Sequence, residues 1–367
     1  MKISLLDPGL VQTTGHHFDL DLRLIRALEA RGHEVEVHGG INPAPALMAA
    51  LEEAGMVVHE TFRAAPYGPL PTDGTAAAIY RTRGIATTAD LNAVDPSSLW
   101  LWPTLPPYQL AAAIGAAAKT RQIGGTWWLP RHPHAEGAAT WARAAERLAR
   151  SPRSIVIGAF DEWLCDSYKS YTPELSVVNL PVPHDGAVNQ GRPAVLTRIG
   201  FFGHQRPARG LDLMPELVRR LLDRGYEVVV QNSAGNAHQD HRHPRLEVLP
   251  YIKDFAAEIA RCDLVVWPSK WQSYVASCSG VVGESIASGV PVILPSGCLP
   301  AVLAARHGCG TLFHDYSAEA ILQAVDEVAA DFSQAIERAR RGAISWHASN
   351  GTARLVDAIE AHAASLQ

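Results

Sequence analysis

Residues 277–292 read Ser-Cys-Ser-Gly-Val-Val-Gly-Glu-Ser-Ile-Ala-Ser-Gly-Val-Pro-Val. A loop of small residues ends at Gly280, an apolar helical run follows, and Gly289 stops it before the strand that begins at Val290. Such a loop leaves the first backbone N–H groups of the helix uncovered, and those groups favour phosphate oxygens. Ser279, Gly280, Val281 and Val282 are therefore candidate donors to an anion. Glu284 falls in the first turn or two. An ionised carboxylate there can accept two hydroxyl hydrogen bonds, as a ribose diol offers, or can compensate the helix dipole. Spacing alone supports both.

Working outward, residues 198–203 form an apolar strand, and Gly203-His204-Gln205-Arg206-Pro207-Ala208-Arg209-Gly210 follows it. An amphipathic helix is expected over 211–224, closed by Gly225. Strands at 226–231, 246–250, 264–268 and 290–295 alternate with helices near 255–261 and 281–288. Ligands of such parallel sheets bind at the carboxyl ends of the strands. Arg206 and Arg209, on a glycine-bounded loop at one of those ends, offer planar forks of donors suited to a diphosphate. The plainer reading of that loop is a solvated basic turn.

The N-terminal half repeats the pattern. A strand at 2–6, a loop at 11–17, a helix carrying Phe18, Leu20, Leu24, Ile25 and Leu28, and an alternating strand at 33–38 make one βαβ unit. Further strands are expected at 56–59, 99–102, 126–129, 154–158 and 175–180, with helices at 109–118 and 138–149. Residues 60–98 support no assignment. Prolines and glycines from Pro181 to Pro193 read as an interdomain linker. The tail from Ser317 is helical apart from breaks near Gly342 and Asn350-Gly351. The fold class is α/β, with two doubly wound domains at 1–188 and 189–346.

With 367 residues the chain suits two α/β cores, and 47% hydrophobic against 19% charged residues marks it as globular. A net charge of −5 gives no support to a nucleic-acid partner. Five cysteines without CxxC spacing read as small core residues of a reducing compartment. No signal peptide or membrane-spanning run is visible, so a cytoplasmic location is expected. Asp19-Leu20-Asp21 has the spelling of a metal-binding pair, but it opens a helix, where acidic residues suit the dipole. His238, Asp240, His241 and His243 lie in a polar loop, where adventitious metal binding is the simpler account. Arg143, Arg147 and Arg150 recur at helical spacing. They read as a solvated face or as a peripheral contact with anionic lipid at the inner membrane face.

The stretches Ile199–Gly203, Arg209–Leu213, Cys262–Ser269 and above all Gly280–Ile293 resemble the donor-binding domain of retaining GT-B-fold glycosyltransferases of group 1. The N-terminal half resembles that family only loosely. The resemblance implies two Rossmann-like domains facing across a cleft, with a C-terminal helix, 347–367, returning to the first. It implies transfer of a sugar from a nucleoside diphosphate sugar to an acceptor hydroxyl on a glycan or lipid-linked acceptor, with retention, and with no cofactor or metal. Glu284 would bind the ribose, and Arg206 and Arg209 the diphosphate. Gly15, His16, Gly203 and His204 would line the donor, and His132, or else His134, would stand near the donor sugar. Asp161 and Glu162 either join them or simply begin a helix. Two departures stand out. His204 replaces an arginine, and Ala276 replaces a glutamate that contacts the donor sugar, leaving Ser273, Tyr274 and Ser277 as nearby polar substitutes. The competing readings are a nucleotide-sugar epimerase and a non-catalytic sugar-nucleotide binder.

Overall fold

A computed structural model describes residues 1–13, 17–64, 76–120, 125–128, 146, 155–171, 176–187, 191, 193–204, 206–232, 243–249 and 252–365. The chain forms two compact units, Met1–Pro181 with Thr352–Gln367 and Val182–Gly351.

In the first unit seven parallel strands, β1 (Lys2–Asp7), β2 (Glu34–Gly40), β3 (Val58–Phe62), β4 (Leu99–Trp102), β5 (Gly125–Trp128), β6 (Ile155–Ala159) and β7 (Val177–Asn179), lie in the order β3-β2-β1-β4-β5-β6-β7. The helices of this unit are α1 (His17–Ala30), α2 (Pro45–Glu53), α3 (Ala76–Leu91), α4 (Pro107–Thr120) and α5 (Glu162–Tyr171). Helix α3 occupies part of the stretch that composition left unassigned. Its sequence carries almost no amphipathic signal, because glycine, threonines and arginines interrupt the apolar period. The helix expected at 138–149 lies outside the described residues apart from Glu146.

The C-terminal helix, Thr352–Ser365 (α12 in chain order), belongs to this first unit, as expected. Leu355, Val356 and Ile359 are fully buried and share a core with Leu24, Leu28 and Leu5. Arg31 bridges Asp357 at 2.6 Å and Glu360 at 2.8 Å, but these pairs are half-exposed and the apolar face carries the docking.

Asp19 sits in the first turn of α1, exposed and paired with Arg23, as the dipole reading expects. Asp21 departs from that reading. It is fully buried, and burial followed by the charge of Asp7 pushes its carboxyl well above the ordinary range. Asp7 in turn accepts from the Gly9 amide at 2.7 Å and pairs with the His17 imidazole at 2.6 Å.

The second unit holds six parallel strands, β8 (Arg198–Phe201), β9 (Glu227–Gln231), β10 (Leu246–Leu249), β11 (Leu264–Val266), β12 (Val292–Pro295) and β13 (Gly310–Phe313), in the order β10-β9-β8-β11-β12-β13. Its helices are α6 (Met214–Asp223), α7 (Phe255–Ala260), α8 (Gly280–Ala287), α9 (Leu299–Arg306), α10 (Ala318–Ala330) and α11 (Phe332–Ser349). Strand order reverses between β8 and β11, where Leu264 lies opposite Ile199. A crevice outside the strands' carboxyl ends at such a reversal is where doubly wound sheets bind ligands. The strands are covered on both faces, which is why Val228, Val229 and Val230 are all fully buried.

Three expectations need correction. The compact units divide at Pro181/Val182 and Gly351/Thr352 rather than at 188/189 and 346/347. Residues read as a linker instead pack on α8, and His347 stays in the second unit with Ser345 and Trp346. The Trp346 indole N–H donates to the His184 carbonyl at 2.8 Å, and His347 Nε2 donates to the Ala287 carbonyl at 2.9 Å. Gly342 does not break a helix either. Helix α11 runs through it, and the position has no room for a side chain: a Cβ there would lie 2.2 Å from the His307 carbonyl oxygen. That glycine marks a close approach, which composition does not distinguish from a stop signal.

Candidate functional site

Two loops meet at the strand reversal of the second unit. The first leaves β8 through Gly203, whose φ of 97° excludes side chains. Its amide donates to Gln231 Oε1 at 2.7 Å. The chain then makes a 3-10 turn over Pro207–Arg209, closed by Gly210 at φ 79°. This turn accounts for the later start of α6, at Met214 instead of 211, since the fixed φ of Pro207 and the left-handed Gly210 stop and redirect the chain. The second loop leaves β11 and passes through Tyr274 to Ser279. The loops are stitched together by Lys270 N–H donating to the Ala208 carbonyl at 3.0 Å.

Arg209 lies where they join. Its Nε donates to the Tyr274 hydroxyl at 2.6 Å, and Tyr274 is itself buried edge-on against Trp267. The guanidinium passes beside Gly203. A Cβ on Gly203 would meet Arg209 Nη1 at 2.3 Å and Val281 Cγ2 at 3.2 Å. Gly203 is thus bordered by both Arg209 and the first turn of α8. Arg206 and His204 are exposed on the same loop. Burial, and after it the charges of Arg209 and Arg206, lower the His204 imidazole below its ordinary value.

Ser279 caps α8, its hydroxyl accepting from Val282 N–H at 3.4 Å, while Gly280 is exposed. Val281 and Glu284, three residues apart, share one side of the helix about one turn from each other. Glu284 is buried, in the second turn rather than the first, so dipole compensation does not explain it. Its Oε1 accepts from His184 Nδ1 at 2.9 Å and its Oε2 from the Gly186 amide at 2.9 Å. Sequence reasoning missed His184 because it was assigned to a linker. The pairing of Pro183-His184-Asp185-Gly186 with Gly283-Glu284 is non-local, and no local signal reports it.

Of the substitutes for the glutamate absent at Ala276, Tyr274 is engaged with Arg209, Ser277 donates to the Cys278 carbonyl at 3.3 Å, and Ser273 is exposed. Asp161 and Glu162 do begin a helix: Asp161 Oδ1 accepts from the Trp163 amide at 2.8 Å. Gly15, His16, His132, His134, His238, Asp240, His241, Arg143, Arg147 and Arg150 lie outside the described residues. Among the described residues no group of three or more His, Cys, Asp or Glu is placed to hold a metal ion, and no helix is long and apolar enough to cross a membrane.

A family profile described as glycosyl transferases group 1 matches residues 196–331. The second unit carries a group 1 glycosyltransferase domain. Every element of the group 1 domain named above, from the Gly203 loop through Arg209 to α8, falls inside the match. Across the whole chain the fold is that of solved GT-B glycosyltransferases. HepE of Anabaena, solved with UDP and glucose, shares 14% identity over 100% of both chains with a TM-score of 0.69. Sucrose-phosphate synthase of Thermosynechococcus elongatus shares 13% identity over 100% of this chain and 97% of that one, with a TM-score of 0.66. The glycosyltransferase SnogD of Streptomyces nogalater shares 19% identity over 98% of each chain, with a TM-score of 0.61. No curated protein matches the sequence.

Proposed function

We propose that the protein transfers a sugar from a nucleoside diphosphate sugar to an acceptor hydroxyl, with the donor held by the second unit. The observation that carries this reading is Arg209, braced by Tyr274 and lying against Gly203, which also borders Val281 in the first turn of α8. A diphosphate seated there meets one fixed cation, a second cation on Arg206, and the uncovered amides of Gly280 and Val281. The ribose would lie one turn along the helix, at Glu284.

The leaving group in such a transfer is a nucleoside diphosphate whose charge grows as the glycosidic bond breaks. A braced cation stabilises that charge more in the transition state than in the bound donor, so it lowers the barrier and does not merely tighten binding. Arg206, Arg209 and the helix terminus together take the role that a divalent ion plays elsewhere, and we propose a reaction that needs none. In the retaining course that the family resemblance implies, the acceptor hydroxyl attacks from the face the diphosphate leaves, and the departing phosphate oxygen takes its proton. The first unit would supply acceptor recognition, for a glycan or lipid-linked acceptor. The group 1 match favours transfer over epimerisation.

The test is proton NMR of the protein with UDP-, GDP- and ADP-hexoses and a panel of glycan acceptors, with and without a chelator. A product with the donor's anomeric configuration, formed at an unchanged rate in chelator, is expected. Epimerisation of the donor without acceptor, or no turnover of any bound donor, would overturn the reading.

A further inference from the structure

The first unit holds a cavity of about 470 Å³ beside the edge strands β2 and β3 and the C-terminal end of α3. Its walls are rich in hydrogen-bond acceptors. Four carboxylates, Glu36, Glu60, Asp90 and Asp95, line it together with a single guanidinium, that of Arg63. Arg63 Nε donates to Asp90 Oδ1 at 2.6 Å and its amide to Oδ2 at 3.0 Å, while the Lys2 ammonium lies 2.9 Å from Glu36. Two of the four negative charges are thereby offset. The other two, on Glu60 and Asp95, stand at exposed positions.

His38 adds a buried acceptor to this lining. It lies opposite His59 in the β2–β3 register, and the two rings stack with centroids 5.2 Å apart. Its Nδ1 lies 2.9 Å from Thr61 Oγ1, and the Thr61 hydroxyl spends its one proton on the His59 carbonyl at 3.3 Å. Nδ1 is therefore the protonated nitrogen, and Nε2 carries a lone pair. His38 is only 6% exposed, and its Nε2 has no hydrogen-bond partner among the described residues. A buried acceptor without a donor costs free energy, which a donating ligand recovers.

We propose that this cavity binds a primary ammonium carried on a polyhydroxylated chain or ring, a hydroxyl donating to His38 Nε2 and the ammonium lying in the field of Glu60 and Asp95. Walls of acceptors with surplus negative charge repel an anion and leave a neutral polyol's charge preference unmet. Among the described residues no three of these groups are placed to hold a metal ion, whereas an extended ligand reaches acceptors that do not converge. The site belongs to the first unit alone and does not depend on the donor reading.

The experiment is histidine-selective NMR of isotope-labelled protein at neutral pH, titrated separately with glucamine, sorbitol and gluconate, which differ only at one terminal carbon: ammonium, hydroxyl or carboxylate. Glucamine should shift the His38 Nε2 resonance saturably. Sorbitol should bind roughly 2- to 25-fold more weakly, the worth of two solvent-exposed ion pairs, and gluconate more weakly still. The double variant Glu60→Gln, Asp95→Asn should bind glucamine and sorbitol alike, with sorbitol affinity unchanged. His38→Phe, followed at His59, should weaken both roughly 2- to 12-fold, the worth of one neutral hydrogen bond. Should that variant not fold, the wild type and the double variant still decide the matter. No saturable shift of His38 by glucamine, equal affinity for the three polyols, or a preference for glucamine that survives in the double variant would each overturn the proposal.

Discussion

Substituting Gly283 by Ala probes the His184 clasp without touching a charged group. A Cβ at that position stands 2.2 Å from His184 Cδ2 and 2.9 Å from Cγ, against the roughly 3.5–4.0 Å that two carbons require. Helix α8 is buried at every position from Val281 to Ala287, so the helix cannot yield and the ring must retreat by about 1.5 Å. The Nδ1–Oε1 bond, now 2.9 Å, does not survive such a move. A hydrogen bond to a charged group is worth about 1.5–3 kcal/mol, and alanine returns about 0.8–1 kcal/mol of helix propensity. The net is a destabilisation of about 1–2 kcal/mol, or about 2–8 °C in Tm for a unit of this size. Differential scanning calorimetry reads it directly. Gly115→Ala is the matched control: it lies within α4, where a Cβ meets nothing within 4 Å, and it should be neutral or raise Tm. A Tm for Gly283→Ala equal to or above that of wild type would refute the placement of His184.

Other perturbations bear on the rest of the account. Tyr274→Phe removes the acceptor that braces Arg209 Nε and should weaken nucleoside diphosphate binding roughly 2- to 12-fold in calorimetry; unchanged affinity would show that the brace is idle. Burial, and after it the charges of Arg209 and Arg206, hold the His204 imidazole below its ordinary value; a bound diphosphate would offset the arginines, so adding UDP should raise its pKa in an NMR titration, and no rise would place the diphosphate elsewhere. In the first unit, burial and then the neighbouring His59 depress His38 from 6.5 to about 4, with Glu36, Lys2 and Asp95 also facing it and Thr61 Oγ1 bonded to its Nδ1. The unfolded chain then binds the extra proton first, so the stability due to the neutral ring is complete above about pH 6.5 and is lost as pH falls toward 4. The Tm of His38→Gln should fall less than that of wild type across that range, and parallel Tm–pH curves would contradict the shift.

What was legible in the sequence follows from the range of the interactions involved. The β8 strand, the Gly203–Gly210 loop and the start of α8 are written in adjacent residues: apolar runs, glycines with positive φ, and a serine cap. The return of α12 to the first unit was expected from family resemblance, and Leu355, Val356 and Ile359 carry it. The brace of Arg209 by Tyr274 joins residues 65 apart, and the clasp of Glu284 by His184 joins residues 100 apart. No local period encodes such contacts. The same limit misread residues 182–187 as a linker, since prolines and glycines mark an irregular chain equally well when it is exposed and when it is packed. Asp21 was misread for a related reason: acidic residues in a first helical turn suit the dipole, and only the fold reveals that this one is buried beside Asp7.

The central claim is that Arg209 and α8 grip a nucleoside diphosphate, and isothermal titration of UDP into wild type and Arg209→Ala tests it most directly. Loss of one or two charge-assisted hydrogen bonds predicts a Kd raised roughly 10- to 100-fold in the variant, with the fold intact by calorimetry. Equal affinity of the two proteins for UDP, and likewise for GDP and ADP, would contradict it.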